Sequence, residues 1–220
     1  MEITENQELQ EEEQTKSFKE ELLYCLEITK KLSLNIKIIL SFAFIAALFV
    51  ATLNFITGGI NLIQMFSMYA TLAFVMFVAI IDTKKFIIPN SILLIWLITR
   101  AAFILAEALF SSSLYPLITS LTGAIIVFLL FLTLYYVTKK SLGGGDVKFS
   151  FVLGLSLTNY LIFTAVFYSL LVCAIFSLIA LATKKLTKKD ALPLGPFFFI
   201  GTTLSNLAVV LGNLFQGVSL

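Results

Sequence analysis

The feature that most constrains this chain is a succession of apolar runs, most of them about 20 residues long. A helix of that length spans the roughly 30 Å of hydrocarbon in a bilayer and satisfies its own backbone hydrogen bonds there. The alternating strands of about ten residues that a transmembrane barrel needs are absent from the sequence. Of the 220 residues, 59% are hydrophobic and only 13% are charged. We therefore predict an all-α, polytopic transmembrane helix bundle with short cytoplasmic loops.

Seven transmembrane helices are predicted from these runs. Their approximate bounds are 36–56, 62–81, 91–110, 115–137, 147–158, 160–182 and 193–213. The fifth run is too short for a straight crossing, so six spans with a re-entrant segment there form the alternative. We favour seven, with the fifth a short helix in thinned bilayer or shielded by its neighbours. Six spans would place the last lysine cluster on the side opposite the others.

Lysines fall in alternate loops between the predicted helices. They form four clusters, which are Lys30, Lys31 and Lys37; Lys84 and Lys85; Lys139, Lys140 and Lys148; and Lys184, Lys185, Lys188 and Lys189. The loops near 54–61, 111–113 and 158–159 carry neither lysine nor arginine. Because lysine and arginine are enriched in cytoplasmic loops, we expect all four clusters on the cytoplasmic side of the cell membrane.

Residues 1–35 differ from the rest, because nine of the thirteen acidic residues lie there. We expect an acidic cytoplasmic tail over 1–35 that is partly helical, followed by a transmembrane domain over 36–220. A helical periodicity places Phe18, Leu22 and Cys25 on one face. The second half of the tail is therefore either an interfacial helix or a solvated segment, and we assign it no chemistry.

Two of the few acids in the membrane domain, Asp82 and Asp146, lie at its predicted cytoplasmic boundary. Two close carboxylates share a proton, so one can activate water while the other protonates a carbonyl oxygen or a leaving amine. The structural alternative is an ion pair of each acid with a neighbouring lysine, Lys84 or Lys85 for the first and Lys148 for the second. The sequence contains no histidine, which excludes a Ser-His-Asp triad.

Three glycines, Gly143, Gly144 and Gly145, come directly before Asp146. Glycine lets another main chain approach without a β-carbon in the way, as a peptide substrate requires. Lys148 either tunes Asp146 electrostatically or faces lipid headgroups. The turn therefore combines an acid with open access to the backbone.

Both acids stand in motifs that have a fixed order. Asp82 precedes Ile88-Pro89-Asn90, Asp146 ends a Gly-x-Gly-Asp sequence, and a late segment reads Pro193-Leu194-Gly195-Pro196-Phe197. In type, order and predicted topology these motifs resemble the type IV prepilin peptidases and the related archaeal preflagellin peptidases, over about residues 60–210. The resemblance implies a membrane aspartic endopeptidase whose catalytic residues are Asp82 and Asp146.

The same resemblance implies the remaining site residues and the partner. The residues that support the active site are Gly143, Gly144, Gly145, Lys148, Pro89, Asn90, Pro193, Gly195 and Pro196. The substrate is a prepilin-like or preflagellin-like precursor, whose short leader is removed at the cytoplasmic membrane face. We expect no cofactor, no metal and no nucleic acid. The sequence does not identify the precursor or the oligomeric state.

The prolines of these motifs also have a structural interpretation. Pro89 is tolerated at a helix start, where Asn90 or Ser91 can cap the free amides of the third span. The prolines and the glycine of segment 193–196 break the chain before the last span. The resemblance adds that this break faces the active site.

Many bacterial members of the family carry a cytoplasmic insertion with paired CxxC elements, implicated in N-methylation of the new pilin terminus. This sequence has no such insertion. Its two cysteines, Cys25 and Cys173, are too few and too far apart for a metal cluster or a disulfide framework. We therefore predict peptidase activity and leave methylation open.

Arg100 and Glu107 lie seven residues apart in the third predicted span, on one face of the helix. An unpaired charge at that depth costs several kcal/mol. We therefore predict that the two residues form an ion pair that packs the bundle. The alternative is a role in the active-site cavity or in substrate binding.

Two other functions fit parts of the sequence. Presenilin-type intramembrane proteases share the Gly-x-Gly-Asp motif, but they require a Tyr-Asp first acid and a Pro-Ala-Leu element, whereas Ile81 precedes Asp82 here and the late segment reads Ala191-Leu192-Pro193. A small transporter could use Arg100, Glu107 and the two aspartates, although transport sites lie near the bilayer midplane. A purely structural protein explains neither the glycines nor the paired acids.

Overall fold

Every regular element that the structure describes is an α-helix, as the apolar runs predict. The computed structural model describes residues 17–138, 142–157, 159–184 and 192–218. Its helices are α1 (17–30), α2 (Leu34–Ile56), α3 (Leu62–Lys85), α4 (Asn90–Ser111), α5 (Tyr115–Val137), α6 (Gly144–Ser156), α7 (Asn159–Ala182) and α8 (Gly195–Val218). Six of these, all except α1 and α6, are long and apolar enough to cross a membrane. The predicted all-α, multi-span fold is confirmed.

Helix α6 occupies the position of the short fifth span and has only 13 residues. It is about 20 Å long, less than the roughly 30 Å of a bilayer core. Helix α7 then runs back: the ring of Phe176 lies 5.5 Å from that of Phe197, in the first turn of α8. The start of α8 in turn lies beside Asp82, at the end of α3. Because the later part of α7 packs against the start of α8, α7 ends at the same end of the bundle as α3. The lysine after α7 and those that end α3 therefore share one side.

The inner end of α6 is bound by Arg100 of α4. The Arg100 Nε donates to the carbonyl of Leu155 at 2.8 Å, and its Nη1 forms a 2.7 Å ion pair with Oε1 of Glu107. The hydroxyls of Ser67 in α3 and Ser120 in α5 accept from the same guanidinium at 2.8 and 3.0 Å. Both charged side chains are buried. The predicted Arg100–Glu107 pair is confirmed, and it joins four helices.

A row of aromatic rings fills the core beneath the glycine-rich turn. Phe74, Trp96, Phe149, Phe198 and Phe131 come from α3, α4, α6, α8 and α5, and neighbouring ring centroids are 5.2–5.8 Å apart. Aromatic pairs at such separations contribute about 0.5–1.5 kcal/mol beyond their buried area. The row therefore fixes the relative positions of the five helices just below the predicted catalytic boundary.

Helix α3 continues about one turn beyond its predicted end at residue 81. Lys84 and Lys85 in the last turn complement the negative end of the helix dipole, and Phe86, at φ 55°, ends the helix in the left-handed region. The predicted end of this span at residue 81, which left Asp82 outside the helix, was therefore wrong. Asp82 stands on the last turn of a helix, which holds its side chain more rigidly than a loop does.

The second half of the acidic tail packs against the bundle as α1. Cys25 is buried, and the ring of Tyr24 lies 5.6 Å from the Lys85 ammonium. Of the two alternatives for residues 17–30, the helix is the one observed. Residues 1–16 and the lysines at 139, 140, 185, 188 and 189 lie outside the described part of the chain.

Replacing Arg100 by Leu is expected to destabilise the protein by about 3–5 kcal/mol, because Glu107 is then buried without a partner. The free energy of unfolding by denaturant in detergent micelles measures this. The double variant Arg100→Leu, Glu107→Leu is the control and should be more stable than the single one, because no unpaired charge remains. A single variant as stable as the wild type would contradict the structural role of the pair.

Candidate active site

Asp82 lies in the last turn of α3 with its side chain 5% exposed. Its Oδ2 accepts the main-chain N–H of Gly195, the first residue of α8, at 2.7 Å. The amides of a helix N-terminus favour a negative charge, so α8 is well placed to stabilise this carboxylate. The sequence prediction that segment 193–197 faces the site is supported through Gly195.

Gly195 is needed for this contact because of its size. A β-carbon there would lie 2.9 Å from the Ala79 Cα and 3.1 Å from Oδ2 of Asp82. The flanking Pro193 and Pro196 are not among the residues that line the pocket around Asp82. They delimit the start of α8, where a proline in the first turn is tolerated.

Asp146 lies in the first turn of α6 and is half-buried. Its N–H donates to the carbonyl of Gly143 at 3.1 Å. A β-carbon at Gly143 would lie 3.0 Å from Oδ2 of Asp146, and one at Gly145 would lie 3.1 Å from the Ile88 β-carbon. Gly144 has no such neighbour within 4 Å. Close contacts therefore surround the first and third glycines of the motif but not the second.

The two carboxylates line one open pocket of about 280 Å³. The other lining residues are Phe86, Ile87, Ile88, Asn90, Gly143, Gly144, Gly145 and Lys148. Since a water molecule occupies about 30 Å³ of liquid volume, the pocket has room for water and part of a peptide. The structure thus brings together both predicted catalytic acids and most of the predicted supporting residues.

Asp146 stands outside the six long helices, and its ionisation is strongly perturbed. Burial, followed by the charge of Asp82, raises the pKa of Asp146 to about 7. A free aspartate has a pKa of about 3.9. At neutral pH Asp146 therefore carries a proton for a substantial fraction of the time.

Neither aspartate forms an ion pair within the described residues. Lys148 Nζ donates instead to Oδ1 of Asn90 at 3.0 Å, and Lys85 lies over the ring of Tyr24. Simple charge pairing with these lysines is therefore not what holds the two acids at this boundary.

The start of α4 differs from the prediction that Asn90 or Ser91 caps it. The N-cap residue is Pro89, and the helix has no capping hydrogen bond from a nearby side chain. Glu21 of α1 accepts the N–H groups of Asn90 and Ser91 instead, each at 3.1 Å. The prediction was wrong because α4 begins at Asn90, so Asn90 and Ser91 both lie within its first turn, and the side-chain oxygen of Asn90 accepts from Lys148. Sequence reasoning missed Glu21, which is 69 residues from its partner.

Beyond Asn90 and Lys148 the pocket continues as an apolar groove. These two residues also line the groove, together with Leu93, Leu94, Leu97, Phe128, Phe151 and Val152. The groove runs between α4, α5 and α6. Polar and apolar surfaces therefore adjoin each other at the Asn90–Lys148 contact.

Comparison with known proteins indicates the class to which this helical, multi-span chain belongs. Residues 69–178 match the type IV leader peptidase family. The chain is also 30% identical over 171 residues to the prepilin leader peptidase/N-methyltransferase of Bacillus subtilis (strain 168), covering 76% of this chain and 67% of that protein. No solved structure matches significantly. The chain belongs to the type IV leader peptidase family, and it is a leader-processing protease of the multi-pass membrane type.

Replacing Gly195 by Ala is expected to lower precursor cleavage by about 10²-fold, because the added methyl displaces Asp82 or α8 and a small misplacement costs that much. The rate of leader removal from a purified precursor measures this. Gly212→Ala, later in the same helix and outside the pocket, is the matched control and should retain near wild-type activity, since its β-carbon meets open space. Equal losses in the two variants would contradict the packing explanation.

Proposed function

We propose that the chain is an aspartic endopeptidase that removes the leader of prepilin-like precursors at the cytoplasmic membrane face. The observation that carries the proposal is that Asp82 and Asp146, from separate sequence motifs, line one pocket of about 280 Å³ and form no ion pair within the described residues. The family and the B. subtilis relative support the leader peptidase reaction. The proposal is limited to peptide cleavage.

Two roles follow from the surroundings of the acids. We assign Asp82 as the base, because its Oδ2 accepts the N–H of Gly195 and this hydrogen bond favours the ionised form. The raised pKa of Asp146 makes it the proton donor near neutral pH. The pair then starts each cycle with one proton, which it shares.

The reaction balances with these two groups and one water molecule. Asp82 takes a proton from water as its oxygen attacks the scissile carbonyl carbon, and Asp146 gives its proton to the carbonyl oxygen, forming a gem-diol. Asp82 then passes its proton to the amide nitrogen while Asp146 recovers one from a diol hydroxyl. The C–N bond breaks, an acid and an amine are released, and the dyad again holds one proton.

The shape of the pocket suits a membrane-anchored precursor. The exposed Gly143 and Gly144 leave space for an extended main chain beside Asp146. The groove beyond Asn90 and Lys148 is apolar, as an apolar helix next to a cleavage site requires. We propose that the leader of the precursor lies in the polar pocket, and that its apolar helix lies in the groove on the other side of the Asn90–Lys148 contact.

The cytoplasmic placement rests on the distribution of lysines. Lys84 and Lys85 end α3, Lys148 lies in α6 near its start, and Lys184 follows α7, all at the Asp82 end of the bundle. Positive residues are enriched on the cytoplasmic side of membrane proteins. A transporter is less well supported, because Arg100 and Glu107 are bound to each other and to the packing of α6.

Asp82→Asn and Asp146→Asn are each expected to lower the rate of leader removal by about 10²–10⁴-fold, because each deprives the reaction of a general acid or base. Cleavage of a precursor in membranes followed by gel electrophoresis measures this. Thermal unfolding in detergent serves as the control for correct folding. Full processing by either folded variant would overturn the dyad mechanism.

The pH dependence of the reaction is expected to show an alkaline limb near pH 7. Asp146 has a raised pKa of about 7, so the protonated form needed as acid is present below that pH and is lost as the pH rises through it. Initial rates of kcat/KM between pH 5 and 9, with about pH 7 as the expected midpoint, measure this limb in the free enzyme. A rate that stays constant up to pH 9 would contradict the assignment of Asp146 as the acid.

A further inference from the structure

Glu21 makes the least expected contact in the molecule. Its Oε1 accepts the N–H of Asn90 and its Oε2 accepts that of Ser91, each at 3.1 Å. Both oxygens of one carboxylate are therefore used on the first two amides of α4. Such amides are free at a helix start and carry partial positive charge, so a carboxylate is the strongest simple partner for them.

Helix α1 contacts both ends of the segment that joins α3 to α4. Glu21 binds the start of α4, and Tyr24, three residues later on the same face of α1, lies over Lys85 at the end of α3. Asp82 lies one turn before that lysine. The segment between these two anchor points contains Phe86, Ile87 and Ile88, which line the catalytic pocket.

Asn90 connects Glu21 to the second acid. Its main-chain N–H is bound by Glu21 and its side-chain Oδ1 by Lys148, two residues after Asp146. Ile88 also lies directly against Gly145, where a β-carbon would be 3.1 Å from its own. A shift of the 86–90 segment therefore disturbs both the side of the pocket that carries Asp82 and the first turn of α6.

We propose that Glu21 is a positioning residue for the peptidase reaction, which fixes segment 86–90 and thereby the separation of Asp82 and Asp146. The inference rests on the proposed function and extends it to a residue outside the stretch that matches the family, residues 69–178. Glu21 touches neither acid. It acts through the main chain of Asn90 and Ser91 and through the Asn90–Lys148 hydrogen bond.

The test compares Glu21→Ala and Glu21→Gln with Glu20→Ala, an exposed acid next in sequence. Glu21→Ala is expected to lower kcat by roughly 10- to 100-fold with KM within about twofold, because a small misplacement of reacting groups slows the chemical step. Glu21→Gln keeps one acceptor oxygen and should fall between Glu21→Ala and the wild type. Glu20→Ala should match the wild type.

A pH profile separates positioning from simple loss of stability. If the two acids move apart, Asp82 raises the pKa of Asp146 less, so the alkaline limb of kcat/KM moves to lower pH in Glu21→Ala. The other charged groups near the pocket, Lys84, Lys85 and Lys148, are unchanged in this variant. If Glu21→Ala shows its alkaline limb of kcat/KM at the same pH as the wild type and also has a wild-type kcat, the proposal is overturned.

Amide hydrogen exchange supplies a readout that is independent of cleavage. Amides of segment 86–95 are expected to exchange faster in Glu21→Ala than in Glu20→Ala, and equal exchange overturns the proposal. If the wild type cleaves no precursor, the proposed function fails while exchange still decides the role of Glu21. If Glu21→Ala does not accumulate in membranes, the same measurements are made on Glu21→Gln. A wild-type kcat together with wild-type amide exchange in Glu21→Gln would then overturn the proposal.

Discussion

A helix that ends inside an apolar bundle leaves main-chain carbonyls without donors, and Arg100 supplies one at Leu155. The rest of the structure depends on this bond. The guanidinium forms an ion pair with Glu107, and the hydroxyls of Ser67 and Ser120 accept two more of its hydrogen bonds. Neither charge of the Arg100–Glu107 pair is therefore left without a partner. Because it lets α6 stop after 13 residues, α7 can turn back and complete the bundle.

The short α6 explains why the two acids meet. Asp146 lies in the first turn of α6 and Asp82 in the last turn of α3, and both lie at the same end of the bundle. α8 contributes an amide to Asp82, and α4 contributes Asn90 to the wall of the pocket. The Arg100–Glu107 pair binds the end of α6 opposite Asp146, so these structural charges are kept apart from the two acids of the pocket.

Features with a local cause could be predicted from the sequence. Apolar length defines the helices, the spacing of Arg100 and Glu107 predicts their pair, and lysine alternation predicts which ends of the helices coincide. The extra turn of α3 and the Glu21 cap could not be predicted in this way. The extra turn depends on the interaction of Lys84 and Lys85 with the end of the helix. The cap joins Glu21 to residues that only tertiary packing brings close to it. Likewise, only the packed structure distinguishes Gly144 from its two neighbours.

Gly154 packs so closely on α5 that its missing side chain has a mechanical consequence. A β-carbon there would be 2.6 Å from the Ala124 Cα, so the two backbones are in direct contact with no flexible side chain between them. Any displacement of the first turn of α6, which carries Asp146, would therefore have to displace α5 with it.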